Sequence, residues 1–266
     1  MYSIGDIGCS TNGYKTAGLE RALRGISEAG FKAVEIAAIP NHCEHISANG
    51  FTPAEIDNAL KLLDRYGLKA VSLSGHMDLT GENAPALMNN RLNLARELGV
   101  RYVNTGTGEA ENEDQRKLFF ANIAKIAEAA QKEGIYVALE THGGLTGSAK
   151  ECLATLERVC NPYIQINYDT ANVIYYRGVK PEDDIELVTG QIAHVHLKDI
   201  LGGKGTYNFP PIGDGNIDFK KVFASLCRNG YKGPMNLEIE LQQGATPEEE
   251  DAALIKSYAY LHGILS

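Results

Sequence analysis

Two imidazoles stand at alternate positions of an apolar run, Ile192-Ala193-His194-Val195-His196-Leu197, which ends in Lys198 and Asp199. Successive side chains of a strand point to opposite faces, so His194 and His196 share one face and Val195 and Leu197 the other. A strand covered on both faces is normally filled with Val, Ile and Leu, so a polar pair there needs partners. Hydrogen-bonded core histidines would meet that need. Three further apolar runs favour metal chemistry instead, because each ends in a group able to bind a cation: Val137-Ala138-Leu139-Glu140, Ile166-Asn167-Tyr168-Asp169 and Met235-Asn236-Leu237-Glu238. Carboxylates gathered in a dry site must be paired or metal-bound, and one divalent metal ion would satisfy Glu140, Asp169, His196 and Glu238 together. Three carboxylates and one imidazole form a hard, oxygen-rich set, which favours Mn²⁺, with Mg²⁺ or Co²⁺ as alternatives, over Zn²⁺. Such a site can polarise the vicinal oxygens of a polyol while one glutamate accepts a proton.

For these four residues to meet, the chain must bring four strand ends to one place. Segments of β type at 3–9, 32–37, 69–74, 101–105, 135–139, 163–168, 191–197 and 233–239 alternate with segments of helical periodicity. The helices are expected at 18–29, 52–66, 84–98, 112–133, 148–159, 181–188, 219–229 and 247–265. Thr52-Pro53-Ala54-Glu55 supplies an N-cap, a proline at the first helical position and an early acid. Gly30, Gly67, Gly99, Gly134 and Gly230 follow helices as stop signals. About eight β/α pairs without a linker predict an α/β protein folded as one (β/α)8 TIM barrel, a single domain over residues 1–266. An open doubly wound sheet would be expected to carry G-x-G-x-x-G after its first strand, and the stretch from Gly5 to Thr11 does not supply it. Barrel active sites lie at the carboxyl ends of the strands, which puts Glu140, Asp169, His196 and Glu238 at equivalent heights on adjacent strands.

The 266 residues carry 25 Lys+Arg against 34 Asp+Glu, a formal net charge of −9. That balance lacks the footprint needed to bind a phosphate backbone and weighs against nucleic acid as a partner. The five cysteines are scattered without C-x-x-C spacing and read as reduced thiols. No run approaches the length of a membrane span, and the first residues lack the basic and apolar regions of a leader. A cytoplasmic protein without a membrane partner is expected.

Taken in order, Glu140, the Asp169-Thr170-Ala171-Asn172 segment, His194-Val195-His196-Leu197-Lys198-Asp199 and Gly230-Tyr231-Lys232-Gly233 leading to Glu238 resemble the xylose isomerase-like TIM-barrel superfamily. Its members include ketose 3-epimerases, sugar-phosphate isomerases, inosose dehydratases and the endonuclease IV group. Ile212-Gly213-Asp214-Gly215-Asn216-Ile217-Asp218-Phe219 is similar to a loop these proteins carry before the last helices. The resemblance covers nearly the whole chain. It implies the same four metal ligands, with Glu140 and Glu238 as the acid/base pair that removes and returns a carbon-bound proton through an enediolate. It also implies homodimers or homotetramers. The chain departs from the ketose epimerase pattern at Asn172, where a substrate-binding histidine is usual, and at Gly202, where an arginine is usual; Lys198 is expected to replace that cation. The endonuclease branch needs further histidines for a zinc cluster, and Asn172 and Asp214-Gly215-Asn216 do not provide them.

The substrate contacts expected around the metal are His76, His142, Asn172, Lys198 and Glu35. For His76 the plain alternative is a loop residue capping the next helix. Glu35 is also read as a partner of a metal ligand or of Lys198, with a buried salt bridge as the plain alternative. His194 is expected to orient the site, and His42, Cys43 and His45 to form a lid. Tyr175, Tyr176 and Arg177 are expected to cover the mouth or meet a second subunit. The Gly202–Gly205 and Gln242–Gly244 turns could cradle phosphate through backbone N–H groups. The reading reached is a divalent-metal-dependent isomerase or epimerase of carbohydrate metabolism, acting on a small ketose or keto-sugar derivative. A second reading keeps the site but makes it a dehydratase or decarboxylase on a keto-sugar, inosose or sugar keto-acid. An AP endonuclease and a non-catalytic sugar-binding barrel are weaker alternatives.

Overall fold

In a computed structural model describing residues 2–242 and 244–266, eight parallel strands close into a barrel. They are β1 (Ile7–Ser10), β2 (Ala33–Ile39), β4 (Lys69–Ser74), β5 (Tyr102–Thr105), β6 (Tyr136–Glu140), β7 (Ile164–Asp169), β8 (Ile192–Leu197) and β9 (Met235–Leu237). The order runs β1-β9-β8-β7-β6-β5-β4-β2, and β1 pairs with β2 to close it. A two-residue strand, β3 (Cys43–Glu44), turns back antiparallel on β2. Helices α1 (Leu19–Glu28), α2 (Pro53–Tyr66), α3 (Ala84–Glu97), α4 (Glu113–Glu133), α5 (Ala149–Val159), α6 (Asn172–Arg177), α7 (Pro181–Asp184), α8 (Phe219–Arg228) and α9 (Pro247–Leu265) lie between and after the strands.

The start and stop signals act as their chemistry requires. Thr52 and Glu55 form a capping box, with Thr52 N–H donating to Glu55 Oε2 at 2.7 Å. Gly67 and Gly134 end α2 and α4 with φ of 61° and 67°, which side chains with a Cβ rarely adopt. Three elements differ from expectation. The first strand begins only at Ile7, because Ser3 N–H donates to Asp6 Oδ2 at 2.8 Å and winds residues 4–6 into a 3-10 turn. The helix expected at 181–188 is helical only to Asp184 before two 3-10 turns. The short helix α6 was not expected; it begins at the last residue of the Asp-Thr-Ala-Asn segment, and Asp169 Oδ1 starts it by accepting from the N–H groups of Ala171 and Asn172 at 2.8 Å each.

Each strand divides its residues between two chemistries. Outward positions such as Val34, Ile36, Leu73, Val103, Val137, Leu139, Ile166, Val195 and Leu197 are fully buried under the helices and form the apolar core. Inward positions are polar: Glu35, Ser72, Asn104, Asn167, His194 and Asn236 fill the middle of the barrel, all fully buried. Branched aliphatics usually occupy this layer. Here each polar group is instead tied across the barrel to another strand, for example His194 Nε2 to Ser72 Oγ at 3.1 Å. Among the described residues, no helix is long and apolar enough to cross a membrane.

Candidate metal centre and active site

The register corrects the expectation of one common height. Asp169 pairs with His196, but Glu140 pairs with Asn167, and Glu238 lies two residues beyond Asn236, the partner of His196. Barrel closure requires strands to stagger, so side-chain length and not strand level brings these groups together. Glu140, Asp169, His196 and Glu238 each offer one ligand atom, all within 4.8 Å of one another, and all four residues are buried. His196 Nδ1 lies 2.8 Å from Glu140 Oε1 and 3.8 Å from Glu238 Oε2.

The charge balance of this cluster favours a cation. Asp169 Oδ2 is buried and has no hydrogen-bond partner. A carboxylate oxygen removed from water in that way calls for a metal ion or a proton. Burial pushes the Asp169 carboxyl up to about 8 despite the Lys198 charge 3.9 Å away. Burial opposes ionisation of Glu238 and Glu140 as well, but Lys198 and His196 hold the first well below the usual carboxylate range, and His76 and His196 lower the second. His196 is raised well above its ordinary value because Glu238 and Glu35 outweigh its burial. Four buried or half-buried carboxylates (Glu35, Glu140, Glu238, Glu240), with the Asp169 carboxyl beside them, therefore share the charges of Lys198 and the His196 imidazolium, and Lys15 reaches only Glu240. A divalent ion held by the four-residue set fits this donor chemistry and its excess negative charge.

The other expected residues divide into three groups. His76, His142, Asn172 and Lys198 line a cavity of about 500 Å³ above the cluster, together with Glu140 and Glu238. His76 Nε2 lies 3.8 Å from Glu140 Oε2, and His142 Nε2 lies 2.9 Å from the Tyr176 hydroxyl. Lys198 also lines it, but its ammonium is held by Glu238 Oε2 at 3.1 Å and by Glu240. Glu35 does not reach the substrate cavity but does take the place expected of a partner to a metal ligand. It is fully buried and off the cavity wall, with Oε1 2.8 Å from His196 Nε2 and Oε2 accepting from Ser72 Oγ at 2.9 Å. Strand alternation points Glu35 into the barrel, and its position on β2 leaves it below the imidazole.

His194 orients the layer beneath, with Nδ1 2.8 Å from Asn167 Oδ1. Of the loop trio only His42 reaches the cavity, while His45 and Cys43 pin the loop to Thr11. Tyr175 and Tyr176 line the mouth, and Arg177 turns away to Glu151 at 2.9 Å. Sequence reasoning overlooked Glu240, although it follows Glu238 by two and so shares its face. It also overlooked Asn12, whose Nδ2 donates to Glu238 Oε1 at 3.0 Å; only closure of β1 on β9 makes that contact.

Comparison with known proteins fits this geometry. The L-ribulose-5-phosphate 3-epimerase UlaE of Escherichia coli is 26% identical over 172 residues, which is 62% of this chain and 59% of that protein. The match thus spans about three fifths of the length of the curated relatives. The D-psicose 3-epimerase of Clostridium cellulolyticum H10, solved with D-tagatose, superposes with a TM-score of 0.78 at 15% identity, covering 98% of this chain and 99% of the other. A xylose isomerase-like TIM-barrel protein from Mycobacterium smegmatis, solved in complex with magnesium, gives 0.77 at 18% identity, covering all of both chains. Those two likenesses establish the fold. The family model described as xylose isomerase-like TIM barrel matches residues 23–258, which takes in every strand from β2 to β9 and all four clustered residues. On that match, the chain belongs to the xylose isomerase-like TIM-barrel family.

Proposed function

We propose that this chain is a divalent-metal-dependent sugar epimerase or isomerase that moves a carbon-bound proton beside the carbonyl of a small ketose. The observation that carries this reading is the placement of Glu140 and Glu238. Both open onto the same cavity, both approach the same nitrogen of His196, Nδ1, and both are held ionised in a buried setting. A desolvated carboxylate close to a substrate C–H is a competent general base. The sugar-epimerase names of the relatives support the same class.

Glu140, Asp169, His196 and Glu238 would hold the metal, whose role when bound is to polarise the substrate oxygens and stabilise charge developing on them. The hard donor set suits Mn²⁺ or Mg²⁺. One of Glu140 and Glu238 removes the proton, giving an enediolate and a carboxylic acid. That acid can return the proton to the neighbouring carbon, whereas delivery to the opposite face requires the second glutamate to have taken a proton from solvent first. Asn12 and Lys198 fix the Glu238 carboxylate from two sides, so its orientation precedes substrate binding. His76 and Asn172 are placed to meet substrate hydroxyls, and Tyr175 and Tyr176 to limit water at the mouth.

The test is solvent-deuterium exchange, followed by NMR, into a panel of ketopentoses and ketohexoses with Mn²⁺-loaded protein, alongside Glu140→Gln and Glu238→Gln. Metal-dependent incorporation lost in both variants is expected. Exchange that persists in both variants, or that needs no metal, would sink the assignment.

A further inference from the structure

We infer that the cavity takes an uncharged ketose and discriminates against its phosphate ester. This rests on the function proposed above and names the substrate class of the same site. The first observation is the charge lining the cavity. Lys198 is the one lysine or arginine among the described lining residues, and Asp78, Glu109 and Glu240 line it beyond the metal cluster. Lys198 does not offer a free ammonium: Glu238 and Glu240 hold it, and the Phe209 ring packs 4.5 Å from it. Glu240 is further bound by the Tyr207 hydroxyl at 2.7 Å, and Lys15 lies 3.8 Å from it. Lys198 and Lys15 are thus both paired with carboxylates of the chain.

The second observation concerns backbone donors, which in barrels often bind phosphate at the loops after the last two strands. Here acceptors of the chain already hold several of them. The Asp199 carboxylate sits in the nest of the 212–217 loop and accepts from the N–H groups of Gly213 at 2.9 Å, Gly215 at 3.0 Å and Ile217 at 3.3 Å. In the glycine-rich 202–205 turn, Gly202 N–H donates to Asn216 Oδ1 at 2.8 Å and Gly205 N–H to the Tyr175 carbonyl at 2.9 Å. The donors that begin α6 are taken by Asp169. Of the 242–244 turn, Gln243 lies outside the described residues. A phosphate dianion entering this cavity would lose hydration, displace these internal acceptors and face Asp78, Glu109 and Glu240. Like charges brought together in a low-dielectric site cost binding. A neutral hydroxyl at the same place can donate to those carboxylates.

The experiment pairs D-ribulose with D-ribulose 5-phosphate and D-fructose with D-fructose 6-phosphate, measuring deuterium exchange and kcat/KM with Mn²⁺-loaded protein at several salt concentrations. Calorimetry on the same pairs reads the preference without turnover. The expected result is kcat/KM at least about 100-fold higher for the free ketose that reacts, since juxtaposed like charges are worth decades in affinity. Salt and Glu109→Gln are both expected to narrow that ratio. Equal or faster exchange of the ester, or tighter binding of it, overturns the inference while leaving the epimerase reading intact. A ratio indifferent to both salt and Glu109→Gln also overturns it, because exclusion would then be steric. Absence of exchange and binding for every pair removes the function reading, and this inference with it.

Discussion

His196 Nε2 lies 2.8 Å from Glu35 Oε1, on the side of the ring away from Glu140. A carboxylate can only accept, so Nε2 carries a proton, and Nδ1 is the nitrogen turned toward Glu140, Asp169 and Glu238. Although burial works against ionisation, the charges of His196 and His194 bring Glu35 down to about 2. Glu35 is therefore an anion that holds the Nε2 proton and the ring angle of His196, so that the Nδ1 proton is the one a metal displaces.

Replacing Glu35 by Gln keeps the volume of the side chain and removes its charge. The substitution is expected to weaken Mn²⁺ binding by roughly 10- to 100-fold, the usual effect of losing such a partner. Metal titration by calorimetry measures it, and an unchanged affinity would show that His196 needs no anchor.

Metal uptake should release protons. His196 faces a carboxylate at each nitrogen and is held as an imidazolium, while Asp169 is pushed up to about 8, so both must lose a proton to act as ligands. Apparent affinity is expected to rise with pH by up to about tenfold per unit for each proton displaced, with the Asp169 contribution levelling off above about pH 8. Titrations in buffers of different ionisation enthalpy count the protons; a pH-independent affinity contradicts the assignment of ligands.

Glu250, in the first turn of α9, is buried, and its Oε2 has no hydrogen-bond partner. Burial, opposed by the charge of Lys15, raises it from an ordinary 4.5 to about 8. Between those values the folded chain keeps a proton that the unfolded chain releases, so the contribution of this group to stability is greatest below about 4.5 and is lost as pH rises toward 8. Glu250→Gln is expected to flatten this dependence and to stabilise the protein at pH 8 by on the order of 3 kcal/mol. Urea unfolding at both ends of the window checks it, and a variant with the slope of the parent would refute the assignment.

Gly8 lies on β1 where Asn236 crosses the barrel. A Cβ there would fall 2.1 Å from Asn236 Oδ1 and 3.0 Å from the Ala33 carbonyl oxygen. Asn236 is itself tied to His194 and Ser72, so it has no room to move. Gly8→Ala is expected to cost about 1–3 kcal/mol, the range for overpacking a filled interior. Metal affinity should fall with it through the His194 layer, and a stability equal to that of the parent would show the layer to be pliable.

Much of this was legible in the chain itself because it rests on local periodicity. Alternation in Ile192–Leu197 places His194 and His196 on one face, the rhythm of β and α segments specifies the barrel, and residues at strand ends point to Glu140, Asp169, His196 and Glu238 as a cluster. The roles within the cluster are another matter. That the ligand Glu35 serves is His196, that Lys198 is committed to Glu238 and Glu240, and that Asn12 steadies Glu238 depend on contacts between strands far apart in sequence. Closure and stagger of the barrel decide those contacts. A side chain's period is set by its neighbours along the strand, but its partner is set by which strand lies across the barrel and at what height.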